Sequence, residues 1–211
     1  MSSDLVLVTG ASGYVAGHCM LRLLHDGYRV RGTLRSLKRA GEVRQWLTKA
    51  RGEIDPGDAL SFVEAELTNR NGWDAAMGGV RYVLHVASPL QSSMPKHPDD
   101  LIVPAREGTL NVTRAASRAS VHRVVQTSSL SAIFHGRVDP NSLLFTEADW
   151  TDPDHKDNVA YTRSKTIAER AAWAELPKLP RGLWNGSPST LAWFWGRCWT
   201  RTQAFSSWRS S

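Results

Sequence analysis

The chain has 211 residues, a length that suits one well-buried domain and is short for two. Its composition, 41% hydrophobic and 22% charged, is typical of a globular protein. The formal charge of +6 does not indicate nucleic-acid binding, because residues 181–211 hold four arginines and no acid, and no other basic stripe is present. The apolar run 5–8 is too short for a signal peptide or a membrane span. The two cysteines, Cys19 and Cys198, indicate neither a disulfide framework nor a metal site, so we expect a cytoplasmic protein.

Strands and helices alternate along the chain. The run 5–8 predicts a strand buried on both faces, and apolar residues at helical spacing follow at 15–26. Further strands are predicted at 29–34, 60–65, 80–86 and 121–127, and further helices at 38–50, 73–77, 99–119 and 160–174. Residues 137–158 are predicted to form an irregular loop. This alternation predicts an α/β fold with a Rossmann-type doubly wound parallel sheet, built from residues 1–176.

A glycine-rich turn, Thr9-Gly10-Ala11-Ser12-Gly13-Tyr14-Val15-Ala16-Gly17, joins the first strand to the first helix. In this position Gly10 allows a tight turn, and Gly13 lets the backbone approach a pyrophosphate. The third position is Ala16, which still permits close packing of the helix against the strand. The helix N-terminus offers free N–H groups to phosphates, so the turn predicts a dinucleotide site.

Basic residues follow the second predicted strand, where a site for NADH usually places Asp or Glu to bind the ribose 2′-hydroxyl. Arg35 ends this strand, Lys38 and Arg39 follow, and the first acid is Glu42. Because a guanidinium pairs with a 2′-phosphate that a carboxylate repels, the pattern favours NADPH. The alternative is a solvated basic helix start, which leaves the cofactor preference open.

Tyr161 and Lys165 stand four residues apart at the start of the last predicted helix, hence on one face. A lysine ammonium lowers the pKa of a nearby phenol and can hold the nicotinamide ribose, so Tyr161 is a candidate proton donor. Two serines follow the strand 121–127, at the edge where such sheets bind ligands. A serine there can hydrogen-bond the same carbonyl, which predicts acid-catalysed hydride transfer. The alternative is an exposed helical pair without a catalytic role.

Six stretches between residues 5 and 176 resemble one family in the right order: VTGASGYVAGH, RGTLRS, VLHVASP, EGTLNVTRAA, VVQTSS and AYTRSKTIAERAAW. The chain is similar to the extended short-chain dehydrogenase/reductases of the NAD-dependent epimerase/dehydratase superfamily, in the branch of dihydroflavonol, cinnamoyl-CoA and methylglyoxal/aldehyde reductases. This resemblance implies an NADPH-dependent reductase of a small carbonyl compound, without nucleic-acid or membrane partners. It also implies that two copies pair through the helices 101–119 and 160–174.

The resemblance implies roles for individual residues. Ser129, Tyr161 and Lys165 are implied to be catalytic, and Arg35 and Arg39 to bind the 2′-phosphate. Glu66 and Leu67 stand beside the adenine, where that branch often has Asp before an apolar residue, and residues 85–89 pass the nicotinamide. The implied NADP(H) site comprises Gly10, Ser12, Gly13, Tyr14, Val15, Arg35, Arg39, Glu66, Leu67, Ala87, Ser88, Thr127, Tyr161 and Lys165. His85 is interpreted as a packed strand histidine and not as a zinc ligand or base.

Residues 177–211 do not continue the family pattern, which has a sixth strand and a substrate-covering domain there; we expect this chain to lack both. Five of its nine tryptophans fall in 184–211 without helical or strand periodicity. Translation in a shifted frame, which joins the third base of each codon to the first two bases of the next, permits Val-Leu-Gly-Pro-Val-Leu-Asp across residues 193–200. This heptapeptide is similar to a segment of the family. We therefore expect a poorly ordered, out-of-frame tail, the alternative being a genuine divergent one.

The residues leave two other functions beside that of a carbonyl reductase. Nucleotide-sugar epimerases and dehydratases share the serine–tyrosine–lysine arrangement, but their usual requirement for NAD disagrees with Arg35. A non-catalytic NADP-binding remnant is the third hypothesis, because the loss of a sheet edge and a substrate domain would leave apolar surface open.

Overall fold

The computed structural model describes residues 4–89, 95–134, 145, 149–178 and 191–194. The strands are β1 (Leu5–Val8), β2 (Arg29–Leu34), β3 (Leu60–Glu64), β4 (Val80–His85), β5 (Arg123–Thr127) and β6 (Leu191–Phe194). The helices are α1 (Tyr14–His25), α2 (Ala40–Ala50), α3 (Trp73–Met77), α4 (Asp99–Arg118) and α5 (Ala160–Glu175). The predicted loop lies partly outside the described residues, and its part at 149–158 holds no helix or strand. No helix within these ranges is long and apolar enough to cross a bilayer.

The strands form one parallel sheet in the order β3-β2-β1-β4-β5-β6. Chain order runs outward from β1 in one direction and from β4 in the other, so the sheet reverses between these two strands. Such a switch point opens a crevice at the carboxyl ends of the strands, where ligands bind in open α/β sheets. The predicted Rossmann-type doubly wound sheet is confirmed.

Helices cover both faces of the sheet, as the continuous apolar sequence of β1 requires. All four residues of β1 are buried, and they alternate between two core clusters. Leu5 and Leu7 belong to the cluster that includes Trp73, Met77 and Val112 of α3 and α4. Val6 and Val8 belong to the cluster that includes Met20, Leu24 and Leu47 of α1 and α2. This double burial rigidly anchors the turn that follows β1.

The structure corrects the sequence prediction at one edge of the sheet. β6 pairs in parallel with β5, from Val124 opposite Leu191 to Thr127 opposite Phe194, in a segment expected to lack a strand. β6 thereby pairs the edge that β5 would otherwise leave unpaired. Residues 179–190 and 195–211 lie outside the described part, so the out-of-frame, poorly ordered tail stays a prediction.

Two glycines flank α3 and differ in the room beside them. Gly72 has φ +86°, and a Cβ added there would lie 2.6 Å from the backbone oxygen of Glu64. Gly79 has φ +71°, and nothing lies within 4 Å of such a Cβ. We expect Gly72→Ala to lower the free energy of unfolding by about 2–4 kcal/mol and Gly79→Ala by about 1 kcal/mol, the cost of the left-handed backbone alone. Urea unfolding compares the two variants, and equal losses would contradict the predicted collision with the backbone.

Candidate active site

The glycine turn is held in shape from two sides. Gly10 has φ +71°, and a Cβ added to it would lie 3.0 Å from Cβ of Ala87, so only glycine fits without strain. Its N–H donates to Oγ1 of Thr33 at 3.0 Å, and the N–H of Gly13 donates back to the oxygen of Gly10 at 2.9 Å. The turn is therefore fastened to the ends of β2 and β4.

Helix α1 begins directly after this turn and presents its N-terminus to the crevice. Its N-cap residue, Gly13, has extended backbone and supplies no side-chain hydrogen bond to the first turn. Tyr14 and Val15 are exposed, so the helix start is open to solvent at the predicted cofactor site. Uncapped N–H groups and the positive end of the helix dipole together form an anion site. This open helix start is where the sequence predicts the pyrophosphate.

His85, at the end of β4, is buried and hydrogen-bonded to the turn. Oγ1 of Thr9 lies 2.9 Å from its Nδ1 and also accepts the N–H groups of Val86 and Ala87, at 3.0 and 2.9 Å. Because these two N–H groups occupy both lone pairs of the threonine hydroxyl, the hydroxyl can only donate its proton to Nδ1. His85 is then neutral, with its own proton on Nε2. Burial lowers the pKa of His85 to about 3, assisted by the charge of Lys165. His85 is thus a packed strand histidine that joins β4 to β1.

The basic residues after β2 are not equivalent. Arg35 is exposed and has no hydrogen bond or ion pair to any residue that the structure describes. Arg39 forms a two-pronged ion pair with Glu42, with Nε–Oε2 and Nη2–Oε1 distances of 2.9 and 3.0 Å. The Arg39 guanidinium holds the pKa of the Glu42 carboxyl below its usual range. Arg35 is therefore free to meet an anion, whereas Arg39 must first leave Glu42.

The loops after β3 and β4 complete the rim of the crevice. Ala65 donates its N–H to the oxygen of Leu34 at 2.9 Å, which brings the predicted adenine residues close to Arg35. The oxygen of Glu66 accepts from Nε1 of Trp73 at 3.0 Å, and that of Leu67 accepts from Nδ2 of Asn111 at 2.8 Å. These bonds fix the backbone of the loop while the Glu66 side chain stays exposed. After β4, Ala87 and Ser88 are half-buried, and Ala87 lies beside Gly10 of the glycine turn.

Tyr161 and Lys165 meet in the first turns of α5. Tyr161 is 37% exposed and Lys165 only 8%, and the lysine Nζ lies 5.9 Å from the centroid of the tyrosine ring. Burial lowers the pKa of Lys165 to about 8, although the nearby carboxylate of Glu169 opposes this shift. The tyrosine thus faces the crevice with a buried cation behind it. This is the arrangement predicted from the four-residue spacing.

The two serines after β5 have different partners. Ser128 is buried and donates its hydroxyl proton to Oε2 of Glu169 on α5. Ser129 is half-buried, and its Oγ lies 2.7 Å from Oγ of Ser131 and accepts the Ser131 N–H at 3.2 Å. It thereby caps the 3₁₀ turn Leu130–Ala132, which packs against α5. Ser129, close to Thr127 at the strand end, is the serine on the accessible side. When the Ser131 hydroxyl donates to Ser129, the proton of Ser129 is left for a ligand.

Sequence reasoning missed Thr9, Ser128 and Glu169, which hold the site together. The only signal for Glu169 is its place four residues after Lys165, in register with Tyr161 on one helix face. The Ser128–Glu169 bond spans 41 residues and the Thr9–His85 bond spans 76, so neither follows from local spacing. The site combines a glycine turn, a tyrosine–lysine pair on α5 and a serine after the end of β5.

Comparison with known proteins places this site in a family. Residues 6–176 match the NAD dependent epimerase/dehydratase family. An uncharacterized oxidoreductase of Schizosaccharomyces pombe is 37% identical over 185 residues, covering 82% of this chain and 53% of that protein. A cinnamoyl-CoA reductase of Medicago truncatula is 37% identical over 174 residues, covering 81% and 52%. The chain spans about half the length of the curated relatives it matches.

A solved structure supports the same assignment. The yeast methylglyoxal/isovaleraldehyde reductase Gre2, complexed with NADPH, superposes with a TM-score of 0.68 at 28% identity, covering 90% of this chain and 56% of that one. The resemblance seen in the six sequence stretches is confirmed. The chain belongs to the NAD-dependent epimerase/dehydratase family.

Proposed function

We propose that the chain is an NADPH-dependent carbonyl reductase that converts an aldehyde or ketone to an alcohol, with residues 1–176 as its NADP-binding domain. The observation that carries this proposal is the pair on α5, where Lys165 Nζ lies 5.9 Å from the ring centroid of Tyr161. A phenol beside an ammonium group is a proton donor suited to neutral pH. Two of the similar proteins, a cinnamoyl-CoA reductase and a methylglyoxal/isovaleraldehyde reductase in complex with NADPH, support this class.

The residues around the glycine turn fit an NADP dinucleotide. A Cβ at Gly10 would meet Ala87 and one at Gly13 would lie 3.2 Å from the Gly10 oxygen, so the backbone itself lines the phosphate site. Arg35 is the guanidinium that would hold the 2′-phosphate, because within the described residues it has no competing partner. Arg39 would join it only after leaving Glu42, so we assign Arg39 the smaller share.

The chemistry follows from the groups on α5 and β5. When bound, the dinucleotide would supply a hydride to the carbonyl carbon. Tyr161 donates its phenolic proton to the carbonyl oxygen, and the ammonium of Lys165 stabilises the phenolate that remains. Ser129, with Ser131 as the donor to its Oγ, gives its own proton to a hydrogen bond with the same oxygen and orients it. His85 takes no part as a base, because its Nδ1 accepts the proton of Thr9.

Turnover by the full chain tests the proposal. We expect the full chain to consume NADPH in the presence of members of a panel of aliphatic and aromatic aldehydes and ketones. NADPH should support a rate about tenfold or more above that with NADH, since a guanidinium–phosphate pair is worth about 1.5–3 kcal/mol. Loss of the near-ultraviolet absorbance of NADPH follows the reaction.

A parallel assay separates the alternatives. Conversion of UDP- or dTDP-sugars with NAD, without reduction of any carbonyl in the panel, would assign the chain to the epimerases and dehydratases and overturn the proposal. Binding of NADPH without turnover of either substrate class would instead identify a non-catalytic remnant. The exposed Arg35 favours carbonyl reduction with NADPH over NAD-dependent conversion of nucleotide sugars, because a 2′-hydroxyl offers it no charge to pair with.

The remaining proposals concern assembly, location and the tail. We propose that two copies pair through the helices predicted at 101–119 and 160–174, which correspond to α4 and α5. We also propose that the protein is cytoplasmic. Light scattering after gel filtration measures the pairing.

We also propose that residues from about 177–183 onward are read out of frame. Resequencing the transcript across this junction tests that idea, and an unbroken frame through Trp184 in independent reads would contradict it.

A further inference from the structure

A buried carboxylate lies between the two halves of the candidate site. Glu169 is 1% exposed, and its Oε2 accepts the hydroxyl proton of Ser128. A carboxylate that deep costs several kcal/mol in hydration unless it is hydrogen-bonded and faces a positive charge, so its position needs a reason. Neither the glycine turn nor the proton donor Tyr161 requires it directly.

The positive charge is Lys165, one helical turn earlier on the same face of α5. The Lys165 side chain is buried, and the attraction of the Glu169 carboxylate raises its pKa against the larger effect of burial. The other titratable groups acting near this lysine are Tyr161 on α5 and the neutral His85 on β4. The α4 side chains Arg106 and Arg114 act on Glu175, which is farther along α5. Among the described residues, Glu169 is thus the carboxylate whose charge raises the pKa of Lys165.

The second link is mechanical. Ser128 immediately precedes Ser129, and its hydrogen bond to Glu169 fastens the end of β5 to α5 across 41 residues of sequence. The 3₁₀ turn that Ser129 caps also packs on α5. The serine segment is therefore held against α5 by this carboxylate and by the packing of the short turn. Thr151 adds a link, because it bonds the backbone of Ser131 and Ala132 and accepts from Arg170 of α5.

We propose that Glu169 is a positioning residue, which holds the Ser128–Ser129 segment against α5 and keeps Lys165 as an ammonium group. Of these effects of Glu169, only the effect on turnover rests on the proposed reductase function. The two effects of Glu169, its charge and its hydrogen bond, can be separated by substitution. Glu169→Gln removes the charge but keeps an oxygen that can accept from Ser128, whereas Ser128→Ala removes the hydrogen bond and keeps the charge.

The titration of Lys165 tests the charge effect without cofactor or substrate. In the full chain with isotope-labelled lysine, NMR follows six side chains, and the signal missing in Lys165→Met identifies Lys165. We expect Glu169→Gln to lower the midpoint by about one pH unit, as loss of a nearby opposite charge does. Ser128→Ala should leave it within a few tenths of a unit. Glu175→Gln, which neutralises another buried carboxylate of α5 paired with Arg114, is the matched control and should not move it.

Activity and binding test the rest. The fall of turnover and of NADPH affinity at alkaline pH should move down by the same amount in Glu169→Gln. Ser128→Ala should lower kcat about tenfold with an unchanged pH profile, which also tests the positioning role if Glu169→Gln does not fold. The same Lys165 midpoint in wild type and folded Glu169→Gln, or full activity of Ser128→Ala, overturns the proposal. Failure of the reductase proposal is distinguishable, since Lys165 would then titrate as expected in a chain that does not oxidise NADPH.

Discussion

Replacing Tyr161 by phenylalanine is expected to abolish carbonyl reduction while NADPH binding is almost unchanged. The substitution removes one oxygen from a ring that is 37% exposed, so it opens no cavity in the core. Loss of a positioned general acid lowers rates by about 10²–10⁴-fold. Steady-state kcat and the NADPH Kd from fluorescence titration measure the two quantities separately.

Tyr82→Phe is the matched control for this substitution. Tyr82 lies on β4 outside the crevice, where its hydroxyl accepts from Arg81 at 3.1 Å and its ring packs edge-on against His122. We expect this variant to retain wild-type kcat and Kd. If Tyr161→Phe kept more than about a tenth of the wild-type kcat, Tyr161 would not be the proton donor, because the smallest expected loss is about a hundredfold.

Gly10→Ala is expected to weaken NADPH binding by about a hundredfold or more. Alanine at φ +71° adds left-handed strain of about 1–2 kcal/mol, and its Cβ would lie 3.0 Å from Cβ and 3.2 Å from Cα of Ala87. Because Ala87 is tied by its N–H to Thr9, it cannot easily withdraw, and the turn itself must shift away from the phosphate site. A displacement of the donors by a fraction of an ångström is enough to lose several hydrogen bonds.

Gly41→Ala provides the contrast. Gly41 is the second residue of α2, with nothing within 4 Å of an added Cβ, so alanine there should raise the free energy of unfolding by up to about 0.5 kcal/mol. NADPH affinity should stay at the wild-type value. Titration calorimetry of both variants checks the pair. Unchanged NADPH affinity in Gly10→Ala would show that the turn does not contact the cofactor.

The fold could be predicted from sequence because its signals are local. The apolar run of β1, the helical period of α1 and the glycines between them are read within about twenty residues, and each agrees with the others. The proton-donor pair was equally accessible, since four-residue spacing in a helix puts Tyr161 and Lys165 on one face. Where a feature is determined by residues close to it in sequence, the prediction agrees with the structure.

The supports of the site could not be predicted, because they join distant segments. A histidine such as His85 can serve as a metal ligand or a base. Its hydrogen bond to Thr9, 76 residues away, shows it to be neutral and structural. The ion pair of Arg39 with Glu42 was visible as an i, i+3 spacing, but whether Arg39 serves Glu42 or a phosphate is a competition that spacing cannot decide. Glu169 could be placed on the correct helix face but not against Ser128.

Equilibrium titration of the full-length chain with NADPH and with NADH is the most direct test of the central claim, that this crevice is an NADPH site. Energy transfer from the protein's tryptophans to the reduced nicotinamide gives the readout. We predict saturable binding of both, about tenfold or more tighter for NADPH, with the difference removed by Arg35→Ser. The absence of saturable binding to the folded chain, or equal affinity for the two dinucleotides, would contradict it.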